Sequence, residues 1–291
     1  DVATTRLKEL RTKREHKPGV RFTYRKQEPN SVTITDTPTV IADIRGTLES
    51  INPTNLLDAA APDGQVLACY VLDPRLKASS GARRLQYLYD ALRDLRDQLD
   101  GRLLVTRGRP EKRIPALAKQ IGASAVHIST DSTPFGTRRD ALVRDALGDI
   151  PLEETGSPYL VTPGRVTKDD GTPYKVFTPF FRAVQADARL QEAWDAPASI
   201  PGVGAGPEGL ALDALRLQPR LGWDAGFWEY WTPGERGAHE ALETFIDGAL
   251  RGYREGRDRP GQVGTSRLSP HLHFGEVSAR SVWHATDRHA D

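Results

Sequence analysis

A chain of 291 residues, 38% hydrophobic and 27% charged, has the make-up of a core-forming globular sequence of one large or two ordinary domains, which argues against wholesale disorder. Forty Lys and Arg against 39 Asp and Glu leave a net charge of +1, so there is no global basic field and any nucleic-acid contact requires a local patch. The single cysteine, Cys69, excludes an internal disulfide and a cysteine zinc cluster, no apolar run approaches the ~18 residues of a membrane span, and no leader pattern opens the chain, so a cytoplasmic, membrane-free protein is expected.

Residues 1–30 carry nine Lys or Arg against four acids, a net of +5, with few large apolar residues. Residues 1–39 therefore read as a solvated, partly disordered basic arm, a phosphate-contacting arm being the alternative. The absence of Met and the start at Asp1 point to a removed initiator or a fragment.

A regular alternation follows. Thr39 to Ile44 reads as a strand, Asn52-Pro53 as a helix start, and Gln65 to Leu72 as a buried strand closed by Asp73-Pro74, with Cys69 as a small core residue inside it. Leu85, Leu88, Leu92, Leu95 and Leu99 recur at steps of three and four, which predicts a helix over 82–99. Strands at 102–106 and 124–128 alternate with helices ending at Ile121 and running from Gly136 to Leu147. Alternation with short connections implies a doubly wound parallel α/β sheet over 40–150. Ligands of such sheets bind beyond the carboxyl ends of the strands.

Beyond Pro151 the pattern changes. Residues 151–180 mix Gly, Pro and Thr with short extended pieces, 197–209 form a Gly/Pro linker, and Leu242, Phe245, Ile246, Ala249, Leu250 and Tyr253 share a helical face. The glycines at 202–209 have no preceding strand and do not form a dinucleotide loop.

The segment from Tyr253 to Gly275 is the richest in chemistry. Gly264 permits a tight turn; Thr265, Ser266 and Ser269 offer hydroxyls; Arg267 offers a cation; Tyr253 adds a phenolic donor. Ser269-Pro270 reads as an N-cap and first helical residue, and free N–H groups at such a start suit a phosphate, an ordinary capped helix being the competing reading. Asp169-Asp170 marks a turn before Gly171, and His271 and His273 lack a third ligand at useful spacing for a metal. Arg138 and Arg139 read as a solvated helix face, with pigment or phosphate contact as the alternative.

In full, Gly264-Thr265-Ser266-Arg267-Leu268-Ser269-Pro270-His271-Leu272-His273-Phe274-Gly275 resembles the flavin-binding signature of the DNA photolyase/cryptochrome family, and Ser278 to Trp283 continues the pattern. Val71-Leu72-Asp73-Pro74 with the Arg83-to-Leu88 helix, Thr133 to Asp140, and Lys168 to Phe180 are similar to further family segments in the same order, so the likeness covers about 40–291. It implies an antenna-like α/β domain (40–150), an interdomain linker (151–235) and the beginning of an all-α FAD-binding domain (236–291) in a monomer. Tyr253, Thr265, Ser266, Arg267, Leu268 and Ser269 would hold the diphosphate and ribityl region of FAD, with Arg267 equally able to face solvent or DNA.

The same resemblance implies light-driven cleavage of cyclobutane pyrimidine dimers in damaged DNA by an electron from excited reduced FAD. It also implies an antenna pigment, a deazaflavin rather than a folate, because Phe135-Gly136 stands where folate-type members offer Asn and Glu. Family members run well past the length of this chain, so dimer-contacting residues are expected beyond Asp291 and the chain alone is expected to be inactive in repair. None of Trp194, Trp223, Trp228, Trp231 and Trp283 is assigned to the family's electron-transfer chain; they are expected to pack the linker and interdomain surface. Val40 to Pro53 departs from the family: Arg45 and the spacing to Asn52-Pro53 remain, the aromatic pair and the Asp are missing, and Asp43 and Glu49 stand where apolar residues belong. A cryptochrome-type photoreceptor and a non-catalytic pigment- or nucleotide-binding α/β module are the alternatives.

Overall fold

The computed structural model of the chain describes residues 32–35, 66–155, 159–186, 207–219 and 225–289. The strand expected at 39–44, the helix start at Asn52-Pro53, Trp194 and Trp223 lie outside these residues. Five parallel strands form one sheet: β1 (Val32–Thr35), β2 (Cys69–Leu72), β3 (Leu104–Arg107), β4 (Val126–Ser129) and β5 (Leu152–Thr155), in the spatial order β3-β2-β1-β4-β5. β1 falls inside the stretch read as a basic arm; its run Val-Thr-Ile-Thr is β-branched throughout, which suits a strand. Beyond residue 150 the sheet continues into β5, whose Val126↔Leu152 to Ser129↔Thr155 pairing forms the edge.

Helices α1 (Pro74–Ser79) and α2 (Ala82–Gln98) follow β2, α3 (Pro110–Ile121) follows β3, and α4 (Pro134–Leu147) follows β4. Alternating strand residues feed two cores. Ala68, Tyr70, Leu72, Leu103 and Val105 pack under the leucine stripe of α2, while Leu67, Cys69, Val71, Leu104, Val126 and Ile128 pack under Ile114, Leu117 and Ala118 of α3 and Val143 and Leu147 of α4. Helices therefore cover both faces, and Cys69 is fully buried as expected.

The stretch expected as linker is partly core. The Leu210 N–H donates to the Val105 carbonyl at 2.6 Å, pairing with the outer edge of β3. Leu212, Leu215 and Leu217 then enter the core under α2, and the Tyr89 hydroxyl donates to Asp213 at 2.6 Å. The Lys77 ammonium and the Arg107 guanidinium donate to the Leu215 and Ala214 carbonyls, closing the far side. Half-buried Trp228 and Trp231 pack against the same core.

Past α5 (Phe177–Ala186), the helical part comprises α6 (Glu235–Thr244), a π-turn at Phe245–Ala249, α7 (Tyr253–Gly256), α8 (Ser269–Phe274) and α9 (Ala279–Arg288). Ala238 and Leu242 of α6 meet Leu268, Val277 and Ala285 in a third, smaller core. Among the described residues no helix is long and apolar enough to cross a membrane.

Candidate functional site

Gly256 ends α7 and Gly264 begins the hydroxyl-bearing turn, and the two backbones touch. A Cβ on Gly264 would lie 2.4 Å from the Gly256 carbonyl carbon, so only glycine allows this approach. The contact ties α7, and with it Tyr253, to the start of the turn. The Tyr253 ring is half-buried, edge-on to Phe245 at 5.7 Å and beneath the Arg257 guanidinium at 5.6 Å.

From Gly264 the chain runs through exposed Thr265, half-buried Ser266 and exposed Arg267 to Leu268, whose side chain is buried in the third core. Leu268 is thus the anchor of the turn rather than a polar contact. Arg267 adopts a left-handed backbone at φ +52°, a conformation that costs a non-glycine residue of order 1–2 kcal/mol. The Ser266 hydroxyl accepts from the Leu268 N–H at 3.4 Å, which leaves its proton to donate.

One detail departs from the sequence reading. Leu268, not Ser269, is the N-cap of α8, because the Leu268 carbonyl already accepts from the Leu272 N–H at 2.8 Å. Ser269 is the first helical residue and Pro270, which has no N–H, the second. The Ser269 hydroxyl consequently performs no capping and stands exposed beside the turn. Three hydroxyls and one exposed guanidinium thus lie in a stretch, 264–275, that contains no acid. This donor set fits an anionic diphosphate.

Immediately behind the turn lies a buried polar cluster that the sequence did not reveal. His271 Nδ1 lies 2.6 Å from Glu276 Oε2, the Tyr87 hydroxyl donates to the same oxygen at 2.7 Å, and the Gly234 N–H donates to Oε1 at 2.7 Å. Burial and the Glu276 charge push the Tyr87 phenol well above its ordinary pKa. His271 is therefore engaged by a carboxylate. Half-buried His273 points elsewhere, its pKa lowered by burial and by Arg84. Among the described residues no His, Cys, Asp or Glu cluster suits a metal.

A second polar feature sits on the sheet where strand order reverses, between β1 and β4. Val126 and Ile128 face the α3–α4 core, so His127 and Ser129 face the opposite side, that of Tyr70. His127 is 2% exposed, neither ring nitrogen has a hydrogen-bond partner among the described residues, and the Ser129 hydroxyl is likewise unpartnered. Burial lowers the His127 pKa to about 4.

Arg139 corrects another expectation. It is 3% exposed and pairs with Asp140 at 2.6 Å and Asp131 at 3.4 Å, whereas Arg138 remains at the surface. Arg139 is therefore held by two carboxylates, one of them Asp131 just ahead of α4, rather than solvated. Asp170 accepts from the Thr172 N–H at 2.9 Å and forms the expected turn.

Comparison with known proteins follows the same lines. The DNA photolyase family pattern matches residues 52–199. A deoxyribodipyrimidine photo-lyase of Agrobacterium fabrum is 34% identical over 255 residues, covering 86% of this chain and 53% of that protein. An uncharacterized 31.6 kDa protein of a Synechococcus species is 34% identical over 231 residues, covering 76% of this chain and 80% of that one. The crystal structure of a class III photolyase from Agrobacterium tumefaciens superposes with a TM-score of 0.75 at 31% identity, covering 92% of this chain and 54% of that chain. The chain spans about half the length of the photo-lyases it matches first.

Proposed function

Because the chain belongs to the DNA photolyase family, we propose that it forms the antenna domain and the first wall of the flavin pocket of a light-dependent DNA-repair lyase that cleaves cyclobutane pyrimidine dimers. The observation that carries this reading is the acid-free, hydroxyl-bearing turn at 264–269, held in shape by the Gly256–Gly264 contact and by buried Leu268. Thr265, Ser266 and Ser269 would donate to the FAD diphosphate, Arg267 would neutralise its charge, and Tyr253 would add a phenolic donor alongside. Held by these residues, reduced FAD would supply the light-driven electron that opens the dimer. The dimer would reach that flavin by being turned out of the duplex.

The test is blue-light repair of dimer-containing DNA by a protein that carries this chain within a full-length photolyase framework. Repair that falls when Ser266 and Ser269 are replaced by Ala supports the reading. Full flavin retention without repair would instead identify a cryptochrome-type photoreceptor, and failure to take up FAD would leave a pigment- or nucleotide-binding module. The 291-residue chain by itself is expected to leave dimers intact, since it spans about half of its photo-lyase relatives.

We also propose an antenna pigment in the crevice at the β1/β4 reversal. His127 and Ser129, which have no hydrogen-bond partner among the described residues, supply buried polar groups at the position where open α/β sheets hold ligands. A deazaflavin is preferred to a folate: Phe135-Gly136 offers no amide or carboxylate, and the Phe135 ring already lies 5.3 Å from the Arg75 guanidinium. Fluorescence of pigment extracted from the purified protein distinguishes the two.

A further inference from the structure

We propose that Glu276 is a positioning residue for the 265–269 turn, and that through it Tyr87 of the α/β unit sets the geometry in which the turn meets its ligand. The proposal rests on the flavin reading only for the identity of that ligand.

Glu276 is 7% exposed, and its carboxylate joins three parts of the chain. Tyr87 comes from α2, His271 from the first turn of α8, and the Gly234 N–H from the start of α6. His271 lies two residues past Ser269, so whatever fixes its ring fixes the helix on which the turn ends. Leu268 packs on Ala238 and Leu242 of α6, the helix whose beginning Glu276 holds. Asp94, again from α2, accepts from the Glu235 N–H at 3.3 Å, so α2 grips the start of α6 directly as well.

The turn is thus bracketed on its apolar side by α6 and on its polar side by α8, and one carboxylate sets the distance between them. A buried carboxylate that loses a donor is left with part of its desolvation uncompensated. The cluster therefore forms as a unit. The Tyr87 hydroxyl is a dependable member, since its raised pKa keeps the proton on oxygen throughout the working pH range. Its ring also stacks on Phe274 at 4.7 Å, which places the hydroxyl. On this view the α/β unit does more than carry a pigment; through Tyr87 it is part of the frame of a site whose His271 lies 184 residues further along the chain.

Hydrogen exchange on the 291-residue chain tests this without any ligand. Tyr87→Phe keeps the ring stack and removes one hydrogen bond. Amides between Thr265 and Leu272 are expected to exchange about tenfold faster, with those of α3 and β4 unchanged. Glu276→Gln, which keeps an acceptor oxygen for Gly234 but presents an amide group to Tyr87 or His271, is expected to give the same local pattern more strongly. Uniform acceleration across the chain, or none in the turn, overturns the proposal and reduces the cluster to ordinary core packing. FAD titration of a full-length photolyase framework carrying this chain, unaltered or with Tyr87→Phe, separates the two readings. Tighter uptake by the unaltered chain than by Tyr87→Phe supports both. Local acceleration with no uptake by either full-length framework upholds the positioning role and overturns the flavin reading. Equal uptake with unchanged exchange upholds the flavin reading and overturns the positioning role.

Discussion

Arg267 sits in a backbone conformation that glycine would adopt without penalty, so its side chain is kept at the expense of stability. Arg267→Gly is therefore expected to leave thermal stability unchanged or raised by about 1 kcal/mol while weakening FAD uptake roughly tenfold, as read by a melting curve and a flavin titration. Gly264→Ala acts in the opposite sense. Its Cβ would strike the Gly256 backbone, and a loss of about 2 kcal/mol or more is expected in urea unfolding. His127 makes stability depend on pH. Its folded pKa of about 4 lies below its ordinary value of 6.5, so between these limits the unfolded chain binds a proton that the folded chain refuses. The His127 contribution is complete above pH 6.5 and is lost as the pH falls toward 4, by up to about 3 kcal/mol. Urea midpoints at pH 7 and 4.5 should show a smaller difference in His127→Leu than in the unaltered chain. Of these residues the sequence made the turn visible, because hydroxyls cluster around a glycine. It left His127 unread and placed Arg139 on a solvated face, since a lone His in a strand and an Arg in a helix carry no local sign of burial.

Elements with a strong period were legible and those without were not. The leucine stripe of α2 placed that helix to within a residue, and the apolar run read as a strand from Gln65 to Leu72 contains the observed strand Cys69–Leu72. β5 was read only as one of the short extended pieces of 151–180, not as part of the sheet, because Leu152-Glu153-Glu154-Thr155 has neither alternation nor an apolar run; as an edge strand it needs neither, and its two carboxylates discourage further pairing. The Leu212–Leu215 turn was hidden in a Gly/Pro-rich neighbourhood, yet Leu215 is fully buried. Leu215→Ala is expected to cost 2–5 kcal/mol, on the order of a core deletion and far above the ~0.5 kcal/mol typical of a surface linker, measured as a drop in urea midpoint at constant slope.

For the molecule as a whole, the sequence fixes a class and one face of a site, but not the joint between the two halves. Tyr87 and Glu276 are 189 positions apart, and no periodicity relates an aromatic residue in a leucine-striped helix to an acid after a helix end. The backbone pairing of Leu210 with Val105 has a bearing on how the chain is born. β3 emerges from the ribosome roughly a hundred residues before the segment that covers its outer rim, an interval of about 5–20 s at ordinary rates of synthesis. During that time a bare strand rim and the empty leucine sockets beneath α2 are open to any neighbouring chain. A chain stopped after Ala186 should reproduce that nascent state permanently and self-associate in light scattering, whereas one carried through Leu217 should remain dispersed at the same concentration.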